Sequence, residues 1–327
     1  MVPTELHLKY RPTSWAQVAG HDGVVKSIQA VLGKKSARAF LLTGPSGVGK
    51  TTIARLIAKT VGVGPNDLIE VDGATTTGID AMREVVGRLQ YKSLTGTARA
   101  VVIDECHAVS KQSFQSLLKA LEEPTEGVYW ALCTTEPDKV PKTVKTRCVQ
   151  YDLKPLNEDT LQSLLMNVRD DEGLVISDDG LELISKASEG SPRQALVLLA
   201  SCGHLKDPSE VGIVVRAGVD SKEAIDLCRL LFSLALDKPT SWRQIAQLLR
   251  VLETPPESTR VIVLRYMTTI ALSADEAKAA AALDVMDAFS TPFLDREGAA
   301  PLARACATLW TTQREALDRR MRAQRVV

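Results

Sequence analysis

The chain has 327 residues, 45% apolar and 24% charged, with 40 basic residues against 40 acidic ones. That composition excludes disordered, collagenous and disulfide-scaffold classes, and its length predicts two or three domains with cores of their own. A formal net charge of zero excludes a protein that coats nucleic acid through a global basic excess, so any DNA contact must come from a local patch.

In chain order, AFLLTG (39–44), DLIEVD (67–72), RAVVIDE (99–105), VYWALCTT (128–135) and CVQYDL (148–153) read as strands. Between them, TTIARLIAKTV, IDAMREVVGRLQ and KQSFQSLLKALEE carry apolar residues at helical spacing. Near-continuous apolar strands alternating with helices predict an α/β fold, a parallel sheet covered on both faces. After about residue 155 only helical patterns follow, beginning with three whose plausible caps are Asn157, Ser177 and Ser191. No apolar run approaches the ~18 residues that span a bilayer, and the opening MVPTELHLKYRP has no apolar signal core. The expectation is a cytoplasmic protein without membrane partners.

The strongest chemical signal is Gly44-Pro45-Ser46-Gly47-Val48-Gly49-Lys50-Thr51, directly after a predicted strand and opening a predicted helix. It fits the phosphate-loop pattern, in which glycines let backbone N–H groups turn inward onto phosphate oxygens at a helix N-terminus. Lys50 is expected on the β- and γ-phosphates and the Thr51 hydroxyl on Mg²⁺, with Thr52 next in the nucleotide-facing run. The second signal is Val101-Val102-Ile103-Asp104-Glu105, an apolar strand ending in two carboxylates. Asp104 is expected to help hold Mg²⁺ and Glu105 to polarise the attacking water.

Six cysteines are scattered with no C-x2-4-C pair, and Cys106-His107 are only neighbours, so reduced core thiols are expected.

Asp104-Glu105-Cys106-His107, SFQSLLKALEEP (113–124) and TTEPDKVPKTVKTRC (134–148) resemble the AAA+ clamp-loader family, in particular its bacterial gamma/tau ATPase subunits. KYRPTSWAQVAGHDGV (9–24) and EGSPRQAL (189–196) extend the resemblance over about residues 8–200. It implies that Tyr10, Arg11, Pro12 and Val18 line an adenine pocket. It makes Thr135 sensor 1, Arg193 sensor 2, and Arg147 the arginine finger that completes a neighbouring subunit's ATP site. Lys111 and Lys119, eight residues or ~2.2 turns apart, match DNA-tracking positions on one helix, and Arg83 matches another. Two further family basic positions stand here as Thr76 and Gly78.

Three departures from the family pattern stand out. Val61-Gly62-Val63-Gly64-Pro65-Asn66 occupies the place of a four-cysteine zinc module, so no zinc is expected. The serine before the finger is Thr146, and the sequence stops at Val327 without the long tail of tau forms. A compact subunit of this kind would suit a bacteriophage replication system.

The resemblance implies an AAA+ nucleotide-binding domain (1–155), a helical lid (156–215) and a helical collar for oligomerisation (216–327). It implies an ATP- and Mg²⁺-dependent ATPase, stimulated by DNA and clamp, that opens a sliding clamp and places it on primer–template DNA. Copies of the chain and a distinct subunit would form a five-membered arc. The alternatives are another AAA+ DNA motor, for branch migration or recombination, and a non-catalytic scaffold subunit. The LLKALEEP-to-TRC block disfavours the first, and intact Lys50-Thr51 and Asp104-Glu105 disfavour the second.

Overall fold

The computed structural model describes residues 5–75, 78–89, 97–218, 221–294 and 298–324. Five parallel strands form one sheet in the order β2-β3-β4-β1-β5: β1 (Ala39–Thr43), β2 (Val63–Asp72), β3 (Ala98–Asp104), β4 (Val128–Thr134) and β5 (Val149–Asp152). Every residue of β1 and β4 is buried, because both central strands are covered on two faces. Alternate side chains feed two cores. Leu41, Val101, Ile103, Trp130 and Leu132 pack on one face with Met82, Phe114 and Leu117. Phe40, Leu42, Val102, Ala131 and Cys133 pack on the other with Ile28, Ile53 and Ile57.

The helices are α1 (Leu6–Lys9), α2 (Asp22–Gly33), α3 (Lys50–Thr60), α4 (Ile79–Arg88), α5 (Lys111–Glu122) and α6 (Lys142–Lys145), then α7 (Glu158–Glu172), α8 (Asp178–Ala187) and α9 (Pro192–Cys202). The side chains of Asn157, Ser177 and Ser191 accept from the N–H groups of Thr160, Gly180 and Gln194, so each expected cap is formed. Only helices follow: α10 (Pro208–Ala217), α11 (Lys222–Ala235), α12 (Trp242–Val251), α13 (Pro256–Ser273), α14 (Glu276–Ala288) and α15 (Ala300–Gln324). The expected α/β class is therefore observed, a parallel sheet with a helical continuation.

Two compact units emerge. One comprises His7–Leu165 with Ser188–Leu196, and it holds the whole sheet. The other takes in Met166–Ala187 and the chain from Val197 onward. Within the latter, α13 packs on α10, α11, α14 and α15, and Trp242 of α12 meets Trp310 of α15 with ring centroids 6.0 Å apart. Arg260 donates to both oxygens of Glu257, which also accepts the Phe293 N–H; these bonds hold the Glu257 carboxyl down at about 2.

β2 begins four residues before the strand expected from sequence, with a register shift between Val63 and Leu68. Val63 pairs with Ala98, and the Thr97 N–H donates to Gly62 O at 3.0 Å, contacts that a local reading of VGVGPN does not contain. Among the described residues no helix is long and apolar enough to cross a membrane.

Candidate nucleotide-binding site

The sheet order builds the site. β4 lies between β1 and β3, so its C-terminal end stands between the turn after β1 and the acid pair after β3. In open parallel sheets such crevices at strand C-termini are where ligands sit. A cavity of about 180 Å³ opens there, lined by Tyr10, Arg11, Pro12, Val18 and the loop Ser46 to Thr52. Asp104, Glu105 and Arg193 complete its wall. Thus the residues expected at adenine, phosphate and sensor 2 converge on one cleft inside one unit.

Two glycines of the loop admit no side chain. Gly44 has φ +138°, and a Cβ there would stand 2.2 Å from Leu153 O. Gly47 has φ +77°, and its Cβ would meet Ser191 Oγ at 2.1 Å. The loop thus presses against the segment that carries Arg193, and Gly44 itself lies just outside the cavity wall.

Lys50 is 6% exposed, and its Nζ donates to Gly44 O at 2.8 Å and Pro45 O at 2.7 Å. Burial pushes its pKa down, while Glu105 and Asp104 pull it up more weakly. A buried ammonium whose direct partners are neutral carbonyls gains from an incoming anion. Arg11 reports the same field: burial first, then the charges of Arg55 and Arg193, lower its pKa. The Thr51 hydroxyl donates to Asp104 Oδ2 at 2.7 Å, bringing together the two oxygens expected to serve Mg²⁺. The residues present therefore fit a magnesium-bound nucleotide phosphate: hard oxygen donors at one end, cationic and backbone donors at the other.

Glu105 has left-handed backbone, φ 45° and ψ 43°, unusual for a residue with a side chain. This turn follows Asp104 immediately, at the end of β3. The Glu105 N–H donates to Asp104 Oδ1 at 3.0 Å, and Thr135 Oγ1 donates to Glu105 Oε2 at 3.2 Å. Thr135, the expected sensor 1, thereby touches Glu105.

His107, which sequence reasoning leaves without a role, also belongs here. Its Nδ1 lies 3.3 Å from Glu105 Oε2 and 3.1 Å from Thr134 Oγ1, and its Nε2 lies 3.2 Å from Glu136 Oε1. The available signal was its place two residues after Glu105, on the 3-10 turn Cys106–Ala108.

Seven expected site residues stand outside the cavity wall: Gly44, Pro45 and Thr135 at its edge, and Arg147, Lys111, Lys119 and Arg83. Arg147 donates through Nε and Nη2 to Glu122 and through Nη1 to Thr143 O. Lys111 opens α5 behind the Ser110 cap, Lys119 lies in its last turn, and Arg83 pairs with Asp80 on α4. Thr76 lies outside the described residues, and Gly78 caps α4.

A family model described as "DNA polymerase III, delta subunit" matches residues 65–157, and one described as "Rad17 P-loop domain" matches residues 5–73. DNA polymerase III subunit tau/gamma of Haemophilus influenzae is 36% identical over 212 residues, covering 58% of this chain and 31% of the relative. The tau subunit of Bacillus subtilis is 33% identical, covering 59% and 38%. The gamma subunit of Buchnera aphidicola subsp. Schizaphis graminum is 36% identical, covering 60% of each. The chain thus spans between about a third and three fifths of the curated relatives it matches. Among solved structures, the Thermotoga maritima RuvB Holliday junction branch migration motor superposes with a TM-score of 0.53 at 19% identity, covering 74% of this chain and 86% of that one. Identity that low speaks to fold alone, so it does not favour a branch-migration activity. By its sheet and phosphate loop this chain has an AAA+ P-loop fold, and it is similar to the tau/gamma subunits of DNA polymerase III over about three fifths of its length.

Proposed function

We propose that the chain is the ATP-hydrolysing subunit of a sliding-clamp loader, acting in the cytoplasm with further copies of itself and a distinct subunit in a five-membered arc. The carrying observation is the convergence of Lys50, Thr51, Asp104, Glu105, Thr135 and Arg193 about one loop in a chain similar to tau/gamma subunits. Bound Mg²⁺ would supply charge neutralisation for the phosphates. Lys50 and the loop N–H groups would bind the phosphates, Asp104 and Thr51 would hold the metal, and Glu105 would orient the water and accept its proton. Arg193 senses the γ-phosphate from the segment touching Gly47. The non-catalytic scaffold reading loses ground because the acid pair and lysine are not only present but assembled. The division into nucleotide-binding domain, lid and collar at 155 and 215 belongs to this proposal.

The test is steady-state ATP turnover by the assembled loader, with and without primer–template DNA and clamp. Stimulation by both is the expected result, and turnover indifferent to both sinks the loader reading. On the same assembly, Lys111→Ala with Lys119→Ala should weaken primer–template binding. Each lost phosphate contact should flatten the plot of log affinity against log salt by roughly 0.7 to 0.9. ATP binding without DNA should be unchanged. An unaltered slope would mean that these lysines do not touch the backbone.

The proposal includes no structural zinc. All six cysteines are buried, with no C-x2-4-C pair among them, and burial pushes the thiols of Cys106, Cys148, Cys202 and Cys306 up to about 12. Among the described residues no group of three or more His, Cys, Asp or Glu stands ready for a metal. Metal analysis of untagged protein should find well below one zinc per chain, and a stoichiometric value would overturn this clause.

A further inference from the structure

The imidazole of His107 is wedged between two carboxylates. On one side stands Glu105, on the other Glu136. Glu136 is itself fixed: its N–H donates to Thr134 Oγ1 at 3.0 Å, and its carboxylate pairs with Lys139 at 2.8 Å. Thr134 is fully buried at the end of β4, so the imidazole leans on a rigid point of the sheet. The His107 side chain is 16% exposed. No arrangement of this kind is needed to bury a histidine, since one carbonyl partner would suffice.

A neutral imidazole carries one N–H. With the proton on Nδ1, the ring donates toward Glu105 Oε2 and Thr134 Oγ1. With it on Nε2, the ring donates to Glu136 and accepts the Thr134 hydroxyl proton. Thr134 can serve the ring in either tautomer, whereas only the Nδ1–H form serves Glu105. Glu105 needs such support, because a glutamate has three side-chain torsions and loses aim when they are loose. Both the Thr135 hydroxyl and His107 Nδ1 address Oε2, at 3.2 and 3.3 Å.

We propose that His107 is a positioning residue for Glu105, holding its carboxylate through Nδ1–H while the contact with Thr134 Oγ1 fixes the ring. This rests on the reading of Glu105 as the group that polarises water. It also gives a physical link from Glu105 to the segment 135–147, which begins at Thr135 and ends at Arg147.

The experiment compares wild type with His107→Ala, His107→Asn and His107→Gln, with nucleotide affinity measured alongside turnover. Asparagine puts an amide N–H near the place of Nδ1, and glutamine puts one near the place of Nε2. His107→Ala should lower kcat by ~10- to 100-fold, with KM and nucleotide affinity within about twofold. His107→Asn should restore most of the rate and His107→Gln little. An alanine variant with wild-type kcat overturns the inference, and equal rescue by glutamine overturns the Nδ1 assignment. A second measurement is independent of turnover. With four histidines in the chain, the ¹⁵N ring signals are assignable, and Glu105→Gln should shift the Nδ1 signal of His107 more than its Nε2 signal. An unmoved Nδ1 signal overturns the inference even where hydrolysis is normal. Wild-type protein that binds but never hydrolyses ATP, with the Nδ1 shift present, instead refutes the proposed function and leaves the contact standing.

Discussion

Replacing Glu105 by glutamine should leave ATP binding nearly intact and slow hydrolysis by ~10²- to 10⁴-fold, the range for removing a positioned proton acceptor. The substitution keeps the side chain's length and its ability to accept from Thr135, whose hydroxyl lies 3.2 Å away. It removes the negative charge to which the proposal gives the orienting of water. Lys50→Ala should fail differently. Its ammonium is buried and bonded to Gly44 O and Pro45 O, so deletion leaves those carbonyls without their donor and the phosphate without its cation. Nucleotide affinity itself should collapse, and turnover with it. The pair is read by equilibrium binding of a fluorescent ATP analogue beside single-turnover hydrolysis. Normal turnover by the glutamine variant would remove Glu105 from the mechanism. Wild-type affinity in the alanine variant would remove Lys50 from phosphate binding.

The contrast between what the sequence discloses and what it conceals follows from the range of the forces involved. The phosphate loop is legible because its requirement is local: Gly44 and Gly47 adopt positive φ, which glycine takes without strain. β1 and β4 are legible because strands buried on both faces are apolar throughout. The meeting of Thr51 with Asp104 depends instead on strand order, which inserts β4 between the two parent strands. Sequence supplies that order only through resemblance. His107 escapes notice because a lone histidine has no periodic signature, and its partners Thr134 and Glu136 come from another strand end. The later helices are the least legible individually. α13 buries Val263, Tyr266, Met267 and Ile270 yet leaves Leu272 85% exposed, so apolar residues alone do not reveal its inner face.

Arg147 should act across a subunit boundary. In the single chain its guanidinium does not line the cleft; Nε and Nη2 reach Glu122 at 3.2 and 2.9 Å, and Nη1 reaches Thr143 O at 2.8 Å. These bonds use three of the five N–H donors of the fork, so the group is aimed and held while two donors remain for a phosphate. Arg147→Ala should therefore bind ATP as wild type does and lose DNA-stimulated hydrolysis by ~10³- to 10⁵-fold, the range for a finger supplied in trans. The competing account is that Arg147 only pairs with Glu122. That pair is partly exposed, 27% and 59%, and pairs of that kind contribute ~1 kcal/mol or less. Glu122→Ala is the control: it breaks the same pair and leaves the finger, so it should keep most of the stimulated rate. Mixing Arg147→Ala with Lys50→Ala chains distinguishes cis from trans directly. In mixed assemblies the Lys50→Ala chain offers an intact Arg147 to a neighbour whose own site is whole, and part of the activity should return. If exchange of subunits is demonstrated and no ratio restores turnover, Arg147 does not serve a neighbour's site.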